Sequence, residues 1–141
     1  MTKKVDIESK QDLEKLVRHF YEKTLSDPII GFFFTQVSPI DLDEHTPKIA
    51  EFWNAILFGR DQISDQGSGV RMNNMLKKHS EVDGKARMQA GHFTRWLFLF
   101  SNSIDELYEG ENAEKLKKRS KKMASSMSDA LRTKRGESRI G

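Results

Sequence analysis

Residues 92–107 read HFTRWLFLFSNSIDEL. Phe93, Trp96, Leu97, Phe100, Ile104 and Leu107 recur there at the intervals of one helix face, and apolar and polar residues do not alternate as in a half-buried strand. The spacing predicts a helix over about Ala86–Tyr108 with an aromatic-rich inner face. Toward the C-terminus, Ala113, Leu116, Met123, Met127 and Leu131 repeat the pattern and predict a second helix over about Asn112–Leu131. Toward the N-terminus, Leu13, Leu16, Val17, Phe20, Tyr21 and Leu25 mark a helix that Asp27-Pro28 breaks. A short segment, Ile29 to about Val37, carries Phe32, Phe33 and Phe34 and ends at Ser38-Pro39. The next helix starts near Asp41–Asp43, whose carboxylates suit free N-terminal amides, with Pro47 in its first turn and Gly59 at its end. Its inner face holds His45, Ile49, Phe52, Trp53, Ile56 and Leu57. Arg60–Val70 reads as a flexible loop, Arg71–His79 as a short helix and Ser80–Lys85 as a polar connection. The fold class is therefore all-α.

The 141 residues fit one domain, taken as residues 1–131, followed by a basic tail over 132–141 expected to be disordered. There is no cysteine, which excludes disulfides, iron–sulfur clusters and thiolate-bound metals or haem. Met1–Lys10 is polar, unlike a signal peptide, and no apolar run approaches a membrane span. A cytoplasmic protein without a membrane partner is expected. Ten Lys and Arg against four Asp and Glu give +6 from Glu111 to Gly141, so the rest of this +3 chain carries −3. Such a run reads first as a solvated helix face; nucleic acid is the less favoured partner. Apolar residues make up only 36% of the chain, lean for a cored domain and compatible with an apolar cofactor helping to fill it.

No phosphate loop, EF-hand, zinc signature or nucleophile elbow is present. The four histidines are His19, His45, His79 and His92, and no two are four apart as a helical metal pair would be. Taken singly, His45 on its apolar helix face reads as a satisfied core or boundary residue, His92 as a structural one, and His79, after Lys77-Lys78, as a surface residue. Tyr21 reads as a core aromatic whose phenol needs a polar partner.

Four stretches in order carry more. They are Phe20-Tyr21-Glu22-Lys23 with Asp27-Pro28-Ile29-Ile30-Gly31 and Phe34; His45-Thr46-Pro47-Lys48-Ile49 with Phe52-Trp53 and Leu57; Leu76-Lys77-Lys78-His79; and His92 to Phe100 with Glu106-Leu107. Together, over roughly residues 11–128, they resemble the truncated haemoglobins, most closely the third group. The resemblance implies a globin-like two-over-two helical sandwich around haem b. It implies that His79 is the iron ligand, since a neutral imidazole leaves the opposite position open to a gas. His92 is the next ligand candidate. Tyr21, His45 and Trp96 match the gas-binding side, where phenol and indole hydrogens can donate to a ligand that gathers negative charge. Phe34, Ile49, Phe52 and Trp53 match the pocket wall, with Ile56, Leu97 and Phe100 nearby. The chain departs from the family over Arg60–Asn74 and Ser80–Ala90, both flanking His79.

The implied ligands are dioxygen, nitric oxide and carbon monoxide. Reversible gas binding leads; nitric oxide dioxygenation or peroxide-dependent oxidation would need a separate reductase, because no nicotinamide or flavin motif is evident. A monomer or weak dimer is expected. The alternative is a globin-fold binding module with weak or lost haem, acting through its basic C-terminal segment.

Overall fold

The computed structural model describes residues 3–59 and 65–136, with side chains described outside 65–73. Helix α1, Lys10–Thr24, starts at Ser9, whose hydroxyl accepts from the Asp12 N–H at 3.3 Å. Leu13, Leu16, Val17, Phe20 and Tyr21 are buried along it, the face expected from their spacing. The chain then turns a corner built on Asp27. The Asp27 carboxylate accepts from the N–H groups of Ile29 and Ile30, each at 3.0 Å, and from Arg95 at 2.6 Å. The Arg95 guanidinium holds its carboxyl below the usual carboxylate range. Gly31 is buried in this corner: a Cβ there would lie 2.9 Å from the Leu25 carbonyl oxygen. A π-helical turn, Phe33–Val37, follows.

Helix α2, Leu42–Phe58, is capped by Asp41, which accepts from the N–H groups of Asp43 and Glu44. Pro47 falls in the second turn rather than the first, so the bond an amide there would give to the Asp43 carbonyl is missing. Gly59 closes the helix in the left-handed region at φ 65°.

Helix α3, Asp65–Lys85, corrects the sequence reading most. The expected loop over Arg60–Val70 is helical from Asp65, while residues 60–64 lie outside the described residues. The expected polar connection over Ser80–Lys85 is helical too. Its polarity is that of an exposed helix side. Val82 packs on the core, and Asp83 pairs with Arg135 at 2.7 Å. Asp83 also accepts from the Met88 N–H at 2.7 Å, which draws Ala86–Gln89 into a connection. Helix α4, Ala90–Leu107, therefore starts four residues later than expected.

Helix α5, Glu111–Lys134, follows Gly110. The Asp6 carboxylate accepts from the N–H groups of Asn112 and Ala113 at 2.8 and 2.9 Å, so the N-terminal strap caps the last helix. Arg132–Lys134, expected in the disordered tail, continue α5 because Leu131 and Arg135 anchor that turn; 137–141 lie outside the described residues.

α1 packs on α2 and α4 on α5, while α1 also meets α4 and α2 meets α5: the expected two-over-two sandwich. No strand occurs among the described residues. Leu13, Leu16, Phe100, Ile104 and Leu116 are almost wholly buried at its centre. A second cluster joins Phe93, Ala124, Met127 and Leu131 to Met75 and Leu76 of α3. Trp96 packs against both clusters. Among the described residues, no helix is long and apolar enough to cross a membrane.

Candidate functional site

Tyr21 lies in the last turn of α1 and is 5% exposed. Its ring meets Phe34 of the π-helical turn edge-on at 5.5 Å and His45 in the first turn of α2 at 5.2 Å. The Tyr21 hydroxyl is 3.0 Å from His45 Nε2. Burial pushes the Tyr21 pKa far above that of an ordinary phenol, so the group keeps its proton. Burial lowers the His45 pKa, the Lys48 and Lys78 charges lower it further, and Glu44 opposes them. His45 is thus a neutral ring with one N–H at pH 7.

That pair has two chemical states. With the proton on Nδ1, the phenol donates to Nε2 and has no hydrogen left. With the proton on Nε2, His45 donates to the phenol oxygen, and the Tyr21 O–H is available to a third group.

Trp96 is half-buried on α4. It stacks on Phe100 at 4.9 Å and lies nearly parallel to Trp53 at 6.4 Å. Phe20 touches both Trp96, at 5.8 Å, and Tyr21, at 5.1 Å, so one buried ring sets the relation between the two polar aromatics. Among the described residues, no acceptor takes the Trp96 indole N–H. Ile49 and Phe52 follow His45 at helical intervals and are half-buried on α2. Trp53 is 3% exposed and packs on Phe100 at 5.4 Å, deeper in the interior than the other expected wall residues.

His79 approaches from α3. Its Nδ1 is 2.8 Å from the Met75 carbonyl oxygen, one turn back. A carbonyl only accepts, so Nδ1 carries the hydrogen and the neutral ring keeps a lone pair on Nε2. Burial lowers the His79 pKa, with the Met75 bond opposing, and the ring is neutral at pH 7. A fixed ring with an unprotonated nitrogen and a carbonyl behind it fits the chemistry of a metal ligand. His92 has the opposite arrangement. Its Nδ1 accepts from the Gln89 N–H at 2.9 Å at the start of α4, which leaves the hydrogen on Nε2 and no free lone pair. His19 pairs on the surface with Glu106 at 3.2 Å.

The structure thus brings Tyr21, Phe34 and His45 into contact, joins Trp96 and Trp53 in one aromatic stack, and holds His79 on a separate helix. Sequence reasoning missed Phe20 as the spacer, because its spacing marked it only as core. It also missed the Met75 carbonyl, for which four-residue spacing is the sole signal. Lys78 was read only as the polar neighbour of His79: its charge acts on His45, which places the α3 turn around His79 within electrostatic reach of α2.

A family model described as bacterial-like globin matches residues 6–130. A group 3 truncated hemoglobin of Campylobacter jejuni is 28% identical over 126 residues, covering 87% of this chain and 91% of that protein. The crystal structure of a group III truncated hemoglobin from Campylobacter jejuni superposes with a TM-score of 0.72 at 26% identity, covering 99% of this chain and 98% of the other.

Proposed function

Since the chain belongs to the bacterial-like globin family, as a truncated haemoglobin of the third group, we propose that it holds haem b through His79 and retains a diatomic gas with Tyr21 and Trp96. The family implies haem-based gas binding in general. The observation that carries the finer reading is the Met75–His79 hydrogen bond, which leaves Nε2 of this one histidine ready to ligate. When bound, haem would supply an iron that takes the neutral imidazole of His79 and can bind a diatomic gas.

The protein's own part follows from its donors. The Met75 carbonyl holds the His79 ring in place and makes its free nitrogen more basic. Tyr21 O–H and Trp96 N–H are the donors for the gas side, and in a dry pocket each retains the ligand more strongly than it would in water. His45 governs Tyr21: only its Nε2–H tautomer leaves the phenol hydrogen available to the ligand. Phe34, Ile49, Phe52 and Trp53 exclude water around these donors. Lys48 and Lys78, whose charges both reach His45, suit the haem carboxylates.

Two donors in an apolar setting favour long retention. This suits turnover of the gas, by nitric oxide dioxygenation or peroxide-dependent oxidation with electrons from a separate reductase, better than rapid delivery. The test is a haem titration of haem-free protein, followed by oxygen release into excess carbon monoxide. A Soret band that saturates at one haem per chain, with slow oxygen release, is expected. No saturable band from a protein with intact helical circular dichroism would overturn the reading.

A further inference from the structure

The strongest charge pattern in the sequence, the basic C-terminal segment, ends in a contact that the gas-binding reading does not use. Arg135 lies one turn beyond Leu131, where α5 closes and Gly136 adopts φ 77°. Its Nη1 is 2.7 Å from Asp83 Oδ1, and the two side chains are only 15% and 9% exposed. Asp83 in turn lies one turn beyond His79 on α3.

The placement of these groups is regular. On α3, Met75, His79 and Asp83 succeed one another at four-residue intervals, and on α5 so do Met127, Leu131 and Arg135. Met75 and Leu76 pack on the cluster of Phe93, Ala124, Met127 and Leu131. The His79 turn is therefore held on both sides, by apolar contact one turn before it and by a nearly buried ion pair one turn after it. Met75 also orients the imidazole itself. Asp83 adds a third tie, to the Met88 N–H at the entry to α4.

We infer that the Asp83–Arg135 ion pair is a positioning device for His79, so that the end of the basic C-terminal helix sets where α3 presents its imidazole. The inference rests on the reading of His79 as the haem ligand. Arg135 pairs with Asp83 and acts on His79 through that carboxylate and the helix turn between them. A nearly buried carboxylate that loses its guanidinium cannot stay where it is without cost, so α3 loosens from Val82 onward toward His79.

The test uses the full chain with Arg135→Gln, which keeps most of the side-chain volume, and Arg135→Lys, which restores a charge able to reach one carboxylate oxygen. Amide hydrogen exchange is followed in haem-free protein, with α1 as internal reference, and the iron–histidine stretching band is recorded in reduced, haem-loaded protein. With Arg135→Gln, exchange over 79–85 should rise about tenfold or more while α1 is unchanged, and the iron–histidine band should shift. Arg135→Lys should recover most of both. Faster exchange with the band at its original position would overturn the inference, because the pair would then only tether α3. So would no change in either. A band that survives His79→Gly would overturn the ligand reading itself, a failure that the Arg135 variants alone cannot produce.

Discussion

Tyr21→Phe removes one oxygen from the interior and leaves the ring in place. The phenyl ring keeps its edge contacts with Phe34 at 5.5 Å and His45 at 5.2 Å, so neither packing nor water exclusion changes much. Two effects remain. The bond to His45 Nε2 at 3.0 Å is lost. A net hydrogen bond contributes about 0.5–1.5 kcal/mol to stability, and His45 is half-buried and regains some solvent, so the haem-free protein should lose no more than about 1 kcal/mol. The second effect is on the ligand. A hydrogen bond to a partner that gathers negative charge contributes about 1.5–3 kcal/mol, or roughly ten- to a hundredfold in release rate. The assay is stopped-flow mixing of the oxygenated protein with carbon monoxide, beside a urea titration of the haem-free form. Faster release with a small stability change is the expected pair. Oxygen release at the original rate would refute the assignment of Tyr21 as a donor to the gas.

Further outcomes follow from the same geometry. Trp96→Phe keeps an aromatic face for Phe100 but removes the indole N–H, so oxygen release should quicken by about tenfold in the same assay. Gly84 stands inside α3 with no atom within 4 Å of a Cβ built there. Gly84→Ala should therefore raise the urea midpoint, by up to about 1 kcal/mol in stability. Stability of the haem-free protein should fall as pH drops through 6.5. The pKa values of both His45 and His92 are lowered by burial from 6.5, so the unfolded chain takes up protons first. Their contribution is complete above pH 6.5 and is lost as pH falls toward their folded values; urea midpoints at pH 7.5 and 5.5 check it. A higher midpoint at the lower pH would contradict the burial of these rings.

The parts of the fold legible in the sequence are those whose helices bury a continuous apolar face. Leu13, Leu16, Val17 and Phe20 in α1, and Phe93, Phe100 and Ile104 in α4, are buried as their spacing requires. α3 was legible only as the short helix over Arg71–His79, for the same reason in reverse. Its described C-terminal half is held by Met75, Leu76 and Val82 and by one ion pair to a residue 52 positions away, and no local pattern announces such a partner. The early start expected for α4 failed because Asp83 takes the Met88 amide and His92 caps the helix instead.

The site was legible as a set of residues but not as chemistry. Four histidines look alike in a sequence. In the structure, the Met75 carbonyl and the Gln89 amide put the proton on opposite nitrogens of His79 and His92. The basic segment was half legible. It does form an exposed helix face, with Lys118, Arg119, Lys121 and Lys122 all exposed, but Lys117 and Arg135 are spent on Asp105 and Asp83.

The central claim is that His79 holds the haem. It is tested most directly by the absorption spectrum of haem-loaded protein, oxidised and then reduced under carbon monoxide, beside His79→Gly. The account predicts a histidine-type carbonyl spectrum at one haem per chain, lost or altered in the variant. An identical spectrum from His79→Gly would contradict it.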